Sequence, residues 1–205
     1  MGKGEETRER VAAQAAALFN VHGYAGTSMS AIMEATGLEK GGIYRHFASK
    51  EQLALAAFDY AASQVRRRFA EGLAGKAHAA DRLVAFLEVF RGYARRPPLH
   101  GGCPVLNTAV ESDDTNPLLR ARAGAVIEEW RALIESTVRD GIARHEIRPE
   151  VDGARLALFL IATMEGAVML TRLLGDPAPL EYAYEHLRQH IESAVRQPAL
   201  DAPGG

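Results

Sequence analysis

One cysteine, Cys103, occurs among the 205 residues. A lone thiol cannot close an intramolecular disulfide, so nothing here suggests a secreted, disulfide-stapled scaffold. Aromatic residues are scarce, at 7%. Val, Ile and Thr together number 28 against 36 alanines, a balance that favours helix over strand. Neither sign of charge dominates: 24 basic and 26 acidic residues leave −2. That excludes a histone-like polycation but leaves room for a local nucleic-acid-facing patch. No apolar run follows the charged start, Met1 to Glu6, so no secretory signal is read there. Glu6 also stands where a myristoylation motif on Gly2 needs Ser or Thr. The longest apolar stretch, 156–170, is interrupted by Glu165 and falls short of the ~20 residues a membrane-spanning helix needs. It is expected as a buried helix of a soluble, cytoplasmic protein. The tail from Gln197 onward, rich in Pro, Ala and Gly, is expected to fray.

Helical periodicity fills the remainder. A first helix is expected from about Glu5 to His22, with Val11, Ala15, Leu18 and Phe19 on one face and Gly23 as its stop. Thr27 and Ser28 suit the cap of a short second helix that Gly37 ends. A third is expected from Glu39 or Lys40 to Phe47, and Ser49 can cap a fourth. The pair flanking Gly37 forms a helix–turn–helix pattern. Residues 1–50 carry six cations and five anions, +1, which leaves 18 minus 21, or −3, for the remainder. The sign is the one a DNA-facing segment needs. Five further helices follow, punctuated by Pro97-Pro98, His100 to Pro104, Asp113 to Pro117, Pro149 to Gly153 and Gly175-Asp176-Pro177. Gly141 interrupts the longest of them without breaking its phase. The triple Arg66-Arg67-Arg68 is expected on a solvated face.

The block around residue 43 has a physical logic. Ile43 and Phe47 lie one helical turn apart and suit a core. Tyr44, Arg45, His46 and Lys50 then point elsewhere. Gly41 and Gly42 remove side-chain bulk, so backbone can approach a groove or a phosphate. Packing of Tyr44 and His46 against a neighbouring helix is the ordinary alternative for such residues.

These residues resemble the tetracycline-repressor (TetR) family of transcriptional regulators. The match runs through Phe19, Gly23-Tyr24, Thr27-Ser28, Ile32, Ala35 and Gly37. It continues through Gly41-Gly42-Ile43-Tyr44-Arg45-His46-Phe47, Ser49-Lys50-Glu51 and Leu53, about a quarter of the chain. Glu39 stands where the family often has Ser, and Gly42 where many members have a hydroxyl residue. The resemblance implies an all-α fold of about nine helices. It would comprise a helix–turn–helix DNA-binding domain at 1–50 and a ligand-binding and dimerisation domain at 51–205. It implies a repressor released by a small-molecule effector, a homodimer through the last two helices, and a near-palindromic double-stranded operator. The implied DNA contacts are Ser28, Ser30, Lys40, Gly41, Gly42, Tyr44, His46 and Lys50. A pocket within 80–170, coupled to the head through the fourth helix, is expected with Phe90, Cys103, Asn107, Trp130 and Glu165 as lining.

The residues themselves leave other readings open. Glu165, in an apolar helix, must be paired, protonated or against a ligand. Cys103 is either inert packing or a redox sensor. A helical enzyme using Glu165 or Cys103, or an adaptor without DNA binding, are the rival classes. No phosphate loop or nucleophile–base motif appears, so no enzyme is expected. His186 and His190 share a helix face but lack a third ligand, so neither metal nor cofactor is expected.

Overall fold

The computed structural model describes residues 2–198. The rest of the tail expected to fray, from residue 199, lies outside the described residues. Nine α-helices and no strand of a sheet occur among the described residues, and the chain divides into two compact units.

The first unit comprises residues 1–68 and 95–127. Helix α1 is Lys3–Gly26, α2 Met29–Thr36, α3 Lys40–Tyr44 and α4 Lys50–Leu73. Helix α6 is Pro104–Ser112, and the start of α7, Pro117–Ala143, completes the unit. The N-terminal core is built where the periodicity placed it. Val11 and Ala15 from α1, Ile32 from α2, Ile43 and Phe47 from the third-helix region, and Leu53 from α4 are all buried together. Each large apolar side chain removed from water contributes roughly 1.5–3 kcal/mol.

The second unit comprises, among the described residues, 69–94 and 128–198. It contains α5, Ala79–Arg91, followed by one 3-10 turn, Gly92–Ala94. It also contains α8, Gly153–Leu174, and α9, Ala178–His190, the latter ending in a π-helical turn, Ile191–Val195. Asp152 caps α8 by accepting from the amides of Ala154 and Arg155. The core of this unit is aromatic. Phe69, Phe86, Phe90 and Trp130 pack ring against ring, with Phe90 and Trp130 edge to face at 5.3 Å between centroids.

Three sequence-based expectations change. Helix α3 ends at Tyr44 rather than Phe47. Phe47 is buried all the same, because the amides of His46 and Phe47 both bond the Ile43 carbonyl and fold the chain inward. Arg68 is not simply solvated: it donates to the carbonyls of Arg96 and Pro97. Helix α8, at 22 residues, is by length and composition long and apolar enough to cross a membrane. Only one side of it is buried, however. Leu156, Leu160, Ile161, Met164 and Val168 face the core. Leu158, Phe159, Met169, Leu170 and Leu173 are exposed.

The neutrality of Gly141 inside α7 has a steric cause. A Cβ there would lie 2.6 Å from the Ala79 Cβ and 2.8–2.9 Å from the Ile147 side chain. Close by, Glu146 accepts from the Ala79 amide at 2.7 Å and from Arg144. The Arg144 bond, then the Ala79 amide, hold the Glu146 carboxyl below its ordinary range. Gly141→Ala would gain at most about 1 kcal/mol of helix propensity. Overpacking costs about 1–3 kcal/mol. The variant is therefore expected to be less stable, with a lower denaturation midpoint and an unchanged urea m-value.

Candidate nucleic-acid interface

The end of α1 sets up the helix–turn–helix. Gly23 takes a positive φ of 75° and kinks the chain, so Tyr24 to Gly26 form a separate turn. Beyond it, Thr27 is buried and its hydroxyl bonds the Gly23 carbonyl. Ser28 is extended and caps α2, its hydroxyl accepting from the Ala31 amide at 3.1 Å. Gly37 closes α2 in the left-handed conformation, with its amide on the Met33 carbonyl. The caps are those the residue types called for.

The expected DNA-contacting residues divide by exposure. Ser28, Ser30, Lys40, Gly41 and Tyr44 are exposed, while Gly42, His46 and Lys50 are half-buried. The Lys40 ammonium sits over the Tyr44 ring at 5.9 Å from its centroid. A Cβ on Gly41 would meet nothing within 4 Å, and one on Gly42 would touch only Leu38, at an ordinary 3.6 Å. Neither position needs glycine for internal packing. Bare backbone without an internal reason fits a surface that another molecule approaches closely.

Lys50 is more constrained than a surface cation. Its ammonium donates to the Tyr24 carbonyl at 2.6 Å and lies over the Tyr24 ring at 4.4 Å. Two of its three protons stay available. The Tyr24 hydroxyl is pushed above its ordinary range by burial and, secondarily, by Glu51. His46 joins α1 through its carbonyl, which accepts from Arg8, and the Arg8 guanidinium stacks on Phe47 at 4.5 Å. Arg10 reaches the Thr36 carbonyl. Arg8 and Arg10 went unread in the sequence because their spacing matches only the polar face of α1.

The residues expected to line a pocket are not gathered in one unit. Cys103 and Asn107 belong to the first, and Phe90, Trp130 and Glu165 to the second. Cys103 is buried. Asn107 donates to the Asn20 and Gly101 carbonyls and to the Asn20 side chain, at 2.9–3.1 Å. Phe90 and Trp130 sit in the aromatic core, and Glu165 is 7% exposed. A cavity of about 270 Å³ opens in the first unit among α1, α4, α6 and the start of α7, and none of the five lines it. Its most distinctive lining group is Glu111. That carboxylate accepts from the amides of Tyr24 at 2.8 Å and Ala25 at 3.0 Å. Nothing in the α6 sequence marks this role, since it depends on the kink at Gly23, 88 positions away.

Comparison with known proteins agrees with this architecture. Residues 12–57 match the family described as "Bacterial regulatory proteins, tetR family". Residues 79–187 match "Tetracyclin repressor-like, C-terminal domain". A TetR transcriptional regulator from Chloroflexus aurantiacus is 70% identical, with a TM-score of 0.95 over 97% of this chain and all of that one. An uncharacterised HTH-type transcriptional regulator from Mycobacterium tuberculosis is 30% identical, covering 88% of this chain and 92% of its own. The HTH-type transcriptional repressor AcnR of Corynebacterium efficiens is 26% identical over 96% of each chain. The chain belongs to the TetR family of helix–turn–helix transcriptional regulators. Members of this family are regulators rather than enzymes; they bind DNA and small-molecule effectors and act as dimers.

The kink generates a direct test. At Gly23 a Cβ would lie 2.7–2.9 Å from the Glu111 carboxylate, on a backbone that L-residues rarely adopt. Gly23→Ala is expected to cost about 1–3 kcal/mol. Amide exchange should accelerate through α2 and α3. Unchanged protection there would show that the kink does not position the head.

Proposed function

We propose that the chain represses transcription as a homodimer on a near-palindromic duplex and is released by a small-molecule effector. The observation that carries the DNA side is the exposed set Ser28, Ser30, Lys40, Gly41 and Tyr44, with unneeded glycines at its centre. Under this reading residues 1–50 are the reading head and 51–205 the effector and dimerisation domain, in the cytoplasm. Ser28, His46 and Lys50 hold phosphate, while Ser30, Lys40, Gly41, Gly42 and Tyr44 face the groove. Phosphate contacts position and base contacts specify, so variants should fall into two groups. Lys50→Ala should weaken binding to operator and scrambled duplex alike and lower the salt slope by about one unit. Lys40→Ala should lose ~1–3 kcal/mol of discrimination at one base position per half-site. Titrations of both duplexes across a salt series check this; wild-type operator binding by both Lys50→Ala and Tyr44→Ala would overturn it.

The outer stripe of α8 supports the dimer. Leu158, Phe159, Ala162, Gly166, Met169, Leu170 and Leu173 recur at helical spacing on the side away from the unit's core. Ala162 and Gly166 allow a second helix to come close; Ala157 and Ala167 instead face inward. Tyr182 on α9 is a further exposed large side chain, at 63%. Sedimentation should give a dimer at micromolar concentration, and Leu173→Glu with Phe159→Arg should shift it to monomer. A wild-type monomer that still binds its operator would refute the arrangement. For the effector, Phe90, Cys103, Asn107, Trp130 and Glu165 remain the residues put forward. Unchanged effector affinity after alanine replacement of all five would discard them.

A further inference from the structure

We infer that the cavity among α1, α4, α6 and the start of α7 is a second ligand site, for a compact organic cation whose counter-ion is Glu111. Protein interiors are packed with few voids larger than a water molecule. Here one wall is kept open by sequence: α4 turns Ala54, Ala57 and Ala61, each at most 3% exposed, toward a space of about 270 Å³. Larger apolar residues at those positions would fill it. The volume lies just under the range typical of small-molecule pockets, which calls for a compact occupant.

The lining chemistry selects the charge. Phe19 and Phe58 supply aromatic surface, and so does the Tyr24 ring, over which the Lys50 ammonium also lies; Phe19 and Tyr24 are tilted at 5.9 Å between centroids. The oxygens of the lining amides are already engaged. Asn116 accepts from the amides of Leu118 and Leu119, and Asn20 bonds the carbonyls of His100 and Gly102 and the Asn107 amide. Glu111 is different. Among the described residues its bonds come from two backbone amides, which are dipoles rather than a cation. A carboxylate has about four acceptor sites, so it keeps capacity for a charged donor. A carboxylate flanked by aromatic faces recognises an ammonium group on an apolar body.

The position has a consequence for regulation, which rests on the DNA-binding reading above. The amides that Glu111 holds precede the Ser28 cap by only three or four residues. A cation bound at the remaining acceptor sites bears on the same carboxylate that fixes the end of α1. Occupancy of the site therefore alters how α2 is set.

The experiment is calorimetric titration of the full-length protein, without DNA, against 2-phenylethylammonium and its neutral isostere 2-phenylethanol. The ammonium should bind about tenfold or more tightly than the alcohol, the difference one charge-assisted bond supplies. Glu111→Gln, which keeps an oxygen for one backbone amide, should lose that preference. Ala61→Leu should abolish binding of both by filling the space, and it decides the matter if Glu111→Gln does not fold. Equal binding of the two probes, no binding of either, wild-type affinity in Glu111→Gln, or wild-type affinity in Ala61→Leu would each overturn the site. Operator binding by the ligand-free protein is read separately, so failure of the cation site and failure of the DNA reading give different results.

Discussion

The backbone of Tyr24 is held at both its N–H and its C=O, and the geometry of the head depends on it. Its N–H goes to the Glu111 carboxylate of α6 and its C=O to the Lys50 ammonium of α4. The Glu111 bond could not form on a straight helix, where the Tyr24 N–H would be committed to the preceding turn of α1; the Tyr24 carbonyl, in the last turn, is one of the helix's unpaired acceptors. Gly23 frees the N–H by leaving helical geometry. The same kink delivers Thr27 to the interior and Ser28 to the cap of α2. Both bonds on Tyr24 involve an ionised side chain, roughly twice as strong as neutral pairs. A single kinked residue pair, Gly23-Tyr24, thus converts two distant charges into the placement of a short helix that has little stability of its own.

That short helix is the extreme case of tertiary support. A helix of five residues with two glycines cannot nucleate alone. It exists because Ile43 and Phe47 are buried at 1% exposure each and because Arg8 clamps the turn behind them. Its outward side carries almost no structural duty. The inward pair keeps the element in place and leaves the outward side free for contact.

What was legible in the sequence is what has a local cause. Ser28 and Gly37 act through bonds to their near neighbours, so residue type alone announced them. The inward stripe of α1 followed from its spacing. The helix–turn–helix and the family were legible because the block at 41–51 combines several such local requirements. The unread features all depend on partners far along the chain. Glu111 looks like any surface glutamate until Gly23 turns two amides toward it. Gly141 looks like a helix defect until Ala79 and Ile147 occupy the place of its side chain. The end of α3 was overestimated because Phe47 is in helical phase with Ile43, yet it reaches the core through a turn. The pocket residues were chosen as the conspicuous aromatic and polar side chains. Phe90 and Trp130 are conspicuous because large rings fill the second unit's core, which is a packing signal first.

Helix α8 shows how composition alone misleads. Apolar residues all round a helix fit burial in one chain, a bilayer or a second copy equally well. The fold separates these by showing that Leu156, Leu160 and Met164 are consumed by the unit's own core while Leu158, Phe159 and Leu173 are not. At roughly 25 cal/mol per Å² of apolar surface, leaving several such side chains in water forgoes a few kcal/mol. Such an apolar patch on a soluble protein marks an association surface. Ala162 and Gly166 lie on this outer stripe, and nothing beyond the neighbouring α8 backbone comes within 4 Å of where a Gly166 Cβ would stand. Bulk has been removed along the exposed side, where only an approaching helix gains from it. A bilayer would reward larger apolar groups at those positions, so the pattern favours a packed protein partner of the same shape.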